Sequence, residues 1–350
     1  MIIFAALLLL GGGVYWFARR RDARPVERNG ARNTGSVETV LGVPSAPGGD
    51  SCRVVVSGLT KRYGDLAAVD DLSFTVEPGR VTAFLGPNGA GKTTTLRMLL
   101  GLATPTAGTA TIRGVRYDQL PRPMRQVGAV LEGSAAHRSR TGRDHVRVIC
   151  RAGGVPLARA DEVLALVGLK AAARRSFKSY SLGMQQRLGI AAALIGNPPV
   201  LMLDEPSNGL DPEGIRWLRE LLRGLADQGR TILISSHLLA EVQALADDVI
   251  IISHGRLAAG GSVSEVLESL ARPDRTLVRT SEPDRLVAEL GPSATVVDGS
   301  DGELYISGVD AAGIGDAARR AGISLQELST VRPDLEDVFL EVTKDQAAIR

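Results

Sequence analysis

The chain is poor in cysteine, has no surplus of charge of either sign and carries no series of long apolar runs. Cys52 and Cys150 are its two cysteines, and they do not form a CxxC pair. That excludes a disulfide framework and fits a reducing compartment. Neither lies near the motifs described below, so both are expected to be inert thiols. The formal net charge of +2 is too close to neutral to imply a nucleic-acid partner. The basic clusters, Arg19-Arg20-Arg21 and Arg174-Arg175, are short. Beyond one N-terminal stretch, the chain lacks the several apolar spans that a pore needs. It shows no internal repeat. What remains is a composition ordinary for a folded core, long enough at 350 residues for one large or two modest domains.

The most informative segment is Gly86-Pro87-Asn88-Gly89-Ala90-Gly91-Lys92-Thr93-Thr94. It follows Val81-Thr82-Ala83-Phe84-Leu85, an apolar run that reads as a buried strand. It precedes Thr95-Leu96-Arg97-Met98-Leu99-Leu100, which reads as the start of a helix. Strand, G-x-x-x-x-G-K-T loop and helix form a P-loop in the context it requires. Glycines let backbone N–H groups turn inward around phosphate oxygens, where a side chain would block approach. Lys92 can then reach the β- and γ-phosphates, Thr93 can bind Mg²⁺, and the helix N-terminus adds a favourable dipole.

A P-loop needs a further carboxylate for the metal. The run Val200-Leu201-Met202-Leu203 reads as a fully buried strand, with Asp204 and Glu205 at its C-terminal end. Ligands of open α/β sheets sit at that edge. Asp204 is placed to hold Mg²⁺ and Glu205 to act as general base on an attacking water. Alone, an Asp-Glu pair after a strand is an ordinary loop start; the upstream P-loop gives it weight.

Tyr180-Ser181-Leu182-Gly183-Met184-Gln185-Gln186-Arg187 ends seventeen residues before Asp204. A Ser and a Gly at a helix N-terminus make a second anion site of the same physical kind. The whole set resembles the nucleotide-binding subunit of an ATP-binding cassette (ABC) transporter, whose signature most often reads L-S-G-G-Q. Ser181 and Gly183 match its essential positions. Leu182 and Met184 depart from the common spelling in a way similar to many export-type subunits.

Other parts of that family's pattern follow in order. Tyr63 falls where the family stacks an aromatic on adenine; read without the resemblance, it is a surface Tyr near a turn. Asn208-Gly209-Leu210-Asp211 matches the loop that meets the opposite subunit. His237 follows the strand Thr231-Ile232-Leu233-Ile234-Ser235-Ser236, expected to neighbour that of Asp204, and matches the histidine that contacts the γ-phosphate. Where the family carries a Gln linking the site to the membrane subunit, this chain has Glu132, a carboxylate that can still bind Mg²⁺ or orient water. The stretch from Gly128 to His145 resembles the drug and multidrug export branch.

The resemblance covers about residues 52–265. It implies an α/β P-loop NTPase fold of the ABC type with a helical subdomain at about 121–190 and ATP and Mg²⁺ as cofactors. A second copy would supply Ser181 and Gly183 to each ATP, and a separate membrane permease would be driven from the cytoplasmic face of the cell membrane. Residues 121–175 read as mainly helical. From 273 to 350 short strands and helices alternate as a small α+β accessory domain, for which no catalysis is expected.

The N-terminus is unusual for this family. Ile2 to Ala18 is seventeen residues without a charge, followed at once by Arg19-Arg20-Arg21. Three readings fit: a single membrane anchor over 1–21 with the following chain in the cytoplasm, a start codon assigned too far upstream, or a buried helix, against which Gly11-Gly12-Gly13 argues. Residues 22–51 read as a flexible linker. Non-transport relatives with a long coiled coil or with two cassettes are disfavoured. Only 112 positions separate Lys92 from Asp204, without heptads, and the chain holds one P-loop. A degenerate regulator is disfavoured because Lys92, Asp204, Glu205 and His237 are all present.

Overall fold

A computed structural model describes residues 52–131, 136–269, 275–298, 303–331 and 334–343. The expected anchor, the linker and Glu132 lie outside the described residues. No helix among the described residues is long and apolar enough to cross a membrane. The chain divides into two compact units, one running to Val263 and joined by residues from Val342, the other spanning Ser264–Glu341.

The first unit opens with the antiparallel strands β1 (Val54–Tyr63) and β2 (Leu66–Val76). Then β3 (Val81–Leu85), buried at every position, leads through the glycine-rich loop into α1 (Lys92–Leu99). β4 (Ala107–Ile112) returns to pair with β1, giving a three-stranded sheet in the order β2-β1-β4. β5 (Val127–Val130) enters a second sheet. A helical insert follows, made of α2 (Gly142–Ala152), α3 (Ala158–Leu166) and α4 (Leu182–Leu194). The chain then alternates β6 (Val200–Leu203), α5 (Pro212–Asp227), β7 (Thr231–Ser235), α6 (Leu239–Leu245) and β8 (Asp248–Ser253), before turning into β9 (Arg256–Ser262). The six-stranded sheet runs β5-β6-β7-β3-β8-β9; its first five strands are parallel and β9 closes the edge antiparallel to β8.

Continuous apolar runs in β3, β6 and β7 are what a parallel sheet covered on both faces demands. One core joins this sheet to the three-stranded one: Phe74 of β2 lies 5.4 Å, ring to ring, from Phe84 of β3, amid Leu72, Leu96, Met202 and Leu233. Cys52 and Cys150 are both buried.

One expectation needs correction. Residues 121–130 are not helical: a short 3₁₀ turn, Pro123–Arg125, precedes β5, which pairs with β6 in register Val127↔Val200. A four-residue run carries no periodicity of its own, and tertiary pairing decides it. Gly128 allows the contact, because a Cβ there would lie 2.3 Å from the Ala193 carbonyl oxygen of α4.

The second unit contains α7 (Val263–Ser269), which starts at the boundary, then β10 (Arg275–Thr280), α8 (Pro283–Leu290), β11 (Thr295–Asp298), β12 (Glu303–Ser307), α9 (Ala311–Ala321), β13 (Leu325–Val331) and α10 (Leu335–Val342). Its sheet is antiparallel, in the order β11-β12-β10-β13. Val278, Leu304 and Ile306 pack with Leu286 and Ile314 from the helices. The α/β class with an added α+β unit is the fold the sequence implied.

Candidate active site

The glycine-rich loop is shaped by places where no side chain fits. A Cβ on Gly86 would come within 2.6 Å of the Ile252 carbonyl oxygen, and one on Gly91, at φ 106°, within 2.5 Å of the Ala68 carbonyl oxygen. Gly89, at φ 83°, also needs the left-handed region. The buried Ala90 fixes the loop to the β8–β9 turn: its carbonyl accepts from the Gly255 N–H at 3.1 Å. Pro87 is half-buried and Asn88 exposed at the tip. Gly91 caps α1, so Lys92, Thr93 and Thr94 form its first turn. The Lys92 ammonium donates to the carbonyls of Gly86 and, at 3.3 Å, Pro87. Burial lowers its pKa, and the negative charges of Glu205 and then Asp204 oppose that shift.

Strand order then brings the other candidates in. Because β6 neighbours β7 and β7 neighbours β3, their C-terminal ends stand side by side. Asp204 is 4% exposed. Its carboxylate accepts from the Thr93 hydroxyl at 3.1 Å and from the Ser235 hydroxyl at 2.5 Å. Glu205 follows in the left-handed region, at φ 49°, a conformation that costs a residue with a Cβ about 1 kcal/mol or more. Its N–H donates to Ser235 Oγ at 2.8 Å, so one hydroxyl touches both acidic residues. The Nδ1 of His237 lies 2.6 Å from Glu205 Oε2. Against an ionised carboxylate that nitrogen is the donor, leaving Nε2 for another partner.

Lys92, Thr93, Asp204, Glu205 and His237 are thus gathered at one sheet edge. Gly86 and Pro87 join this group through Lys92; among the described residues, Ser181, Gly183 and Tyr63 make no hydrogen bond to it. Ser181 caps α4, its hydroxyl accepting from the Met184 N–H at 3.3 Å. Gly183 lies against Gly209, where a Cβ would meet the Gly209 carbonyl oxygen at 2.9 Å. Tyr63, at the end of β1, is 55% exposed, with the Lys61 ammonium 5.0 Å from its ring centre. The sequence reading passed over Ser235 as a strand residue. Its one signal was a hydroxyl ending an apolar strand beside the Asp-Glu strand.

A phosphate-shaped loop, a buried lysine and neighbouring acidic residues at the end of a parallel sheet define a P-loop nucleotide site. Residues 69–208 match the family model described as ABC transporter, and residues 274–336 match one described as a domain of unknown function. The bacitracin transport ATP-binding protein BcrA of Enterococcus faecalis is 34% identical over 82% of this chain and 94% of its own length. The Nod factor export ATP-binding protein I of Ralstonia nicotianae (strain ATCC BAA-1114 / GMI1000) is 35% identical over 86% of this chain and 97% of its own. A solved ATP-binding subunit of an ABC transporter is 30% identical and superposes with a TM-score of 0.58, over 62% of this chain and 93% of that one. The chain belongs to the ATP-binding ATPase subunits of ABC transporters.

Proposed function

We propose that this subunit powers an exporter, hydrolysing Mg·ATP as a homodimer beneath a separate membrane permease. The observation that supports it most is the meeting of Lys92, Thr93, Asp204, Glu205 and His237 at adjoining strand ends. Backbone N–H groups from Gly86 to Thr94 hold the phosphates and Lys92 neutralises charge on the β- and γ-groups. The Thr93 hydroxyl and Asp204 carboxylate, 3.1 Å apart, are hard oxygen donors of the kind that suits Mg²⁺. Bound there, the ion would supply charge neutralisation at the phosphates. Glu132 is a further metal or water ligand in this reading.

Glu205 takes the proton from the attacking water as its oxygen bonds to the γ-phosphorus and the bond to ADP breaks. His237 orients Glu205 and contacts the γ-phosphate. Tyr63 stacks on adenine. Ser181 and Gly183 come from the second copy and close over the γ-phosphate, so ATP joins the pair and hydrolysis releases it. Export is supported by the name of the Nod factor relative and by the resemblance of residues 128–145 to export-type subunits. The protein then works at the cytoplasmic face of the cell membrane, with residues 1–21 as a single anchor.

The test is to purify Glu205→Gln protein from gently solubilised native membranes with Mg·ATP. Co-purification of a polytopic membrane protein in stoichiometric amount is expected; recovery of the subunit alone, or with nucleic acid, would overturn the transport reading. Deleting residues 1–21 should increase the fraction released from membranes by carbonate.

A further inference from the structure

We infer that Gln186 is a positioning residue for Glu205, and that it connects the general base of one ATP site to the signature serine serving the other. The inference rests on the roles proposed for Glu205 and Ser181. Glu205 occupies the left-handed region at φ 49°, which a side chain with a Cβ avoids unless its surroundings hold it there. Two side chains grip its backbone. Ser235 Oγ, from β7, accepts its N–H at 2.8 Å, and Gln186 Nε2, from the second turn of α4, donates to its carbonyl at 3.4 Å. The first grip also holds Asp204, since the same Ser235 hydroxyl donates to its carboxylate. The second comes from another part of the chain altogether.

That part is the helix capped by Ser181, five residues before Gln186. Its opening turns are fastened to the segment after Glu205 at two further points. A Cβ on Gly183 would lie 2.9 Å from the Gly209 carbonyl oxygen, which shows how closely the backbones meet. The Arg187 guanidinium lies 4.3 Å from the ring centre of Trp217 in α5, while also donating to the Val167 carbonyl at 3.2 Å. Ser181 and Gln186 thus stand on one short stretch of helix, held against the chain that carries Glu205. In the dimer Ser181 meets the partner's ATP. A displacement of Ser181 there moves Gln186, and Gln186 moves the carbonyl of Glu205 in its own site.

Steady-state hydrolysis by the full chain tests this. Gln186→Met keeps length and removes the donor; Gln186→Glu keeps shape and puts an acceptor against the carbonyl, which serves if the first variant misfolds. Both should lower kcat about tenfold or more at unchanged KM for ATP, as expected for a misplaced rather than missing group. In a Glu205→Gln background, adding Gln186→Met should change the residual rate less than about twofold, because the positioned group is already gone. Ser181→Ala should likewise cost less in the Gln186→Met background than alone. Equal fold-losses in both backgrounds, or unchanged kcat in both single variants, would overturn the inference. Full hydrolysis by Glu205→Gln would instead remove the base assignment beneath it, an outcome read from that variant alone.

Discussion

In the six-stranded sheet of the first unit, β3, β6 and β7 are buried at every residue, whereas in the four-stranded sheet of the second unit β10 and β12 alternate buried with half-buried positions. A strand covered on both faces offers nothing but its end to a ligand. The candidate site accordingly collects at residues 86, 204, 205, 235 and 237, each at or just beyond a strand terminus. A strand covered on one face offers a surface instead, and here that surface satisfies itself: Arg279 of β10 pairs with Glu303 of β12 and Glu327 of β13. The lesson is that covering both faces of a sheet pushes chemistry to one rim, while an alternating sheet disperses its polar groups among its own strands.

This contrast can be broken or sharpened by substitution. The largest effect is expected at the rim. Lys92→Ala should reduce ATP hydrolysis about a thousandfold, equivalent to about 4 kcal/mol of transition-state stabilisation, with the fold retained by circular dichroism. Next, Phe84→Ala in β3 removes a fully buried ring and should destabilise the first unit by about 4 kcal/mol in denaturant titrations. Ile306→Ala in β12, also fully buried, should cost about 3 kcal/mol while leaving the hydrolysis rate unchanged; a parallel loss of hydrolysis would break the separation of roles between the two sheets.

A pH effect of similar size is confined to the helical insert. His145 of α2 is buried, and burial, with the nearby charge of Arg140, lowers its pKa to about 4. The unfolded chain binds this proton from about pH 6.5 downward and the folded chain only near 4. Its contribution is therefore complete above pH 6.5 and declines by up to about 3 kcal/mol as pH falls through that window. Urea titrations between pH 7 and 4 should show this slope, and His145→Asn should flatten it. The smallest effect belongs to the second sheet's half-exposed surface, where Arg279→Ala should cost about 1 kcal/mol or less, within a few degrees of melting temperature.

Much of the first unit was legible in the sequence. β3, the glycine loop and α1 announce themselves because a buried run, positions that exclude a Cβ and a helix start adjoin. Gly168 just past the end of α3 and the turn at His254-Gly255, all at positive φ, are local turn chemistry of the same readable kind. β5 escaped because four residues with an internal glycine set no period. α8 and β13 escaped for related reasons: the first is eight residues long, and the second, Leu325–Val331, contains good helix formers that sheet pairing overrides. At the site, Lys92, Asp204 and Glu205 were readable from neighbours in sequence. Ser235 and Gln186 act on residues 30 and 19 positions away, a distance at which only the finished fold says which hydroxyl or amide arrives.

The strand order also sets a timetable for synthesis. β3, which leads into the glycine-rich loop, lies between β7 and β8, at residues 231–235 and 248–253. Both of its edges stay without a sheet partner until the ribosome has delivered those later segments, so the glycine loop is among the last parts of the domain to set. Long-range pairing of this kind slows folding and leaves apolar edges open meanwhile. A nascent chain arrested before residue 231 should therefore hold its helical insert and its β1–β2 hairpin yet retain no nucleotide.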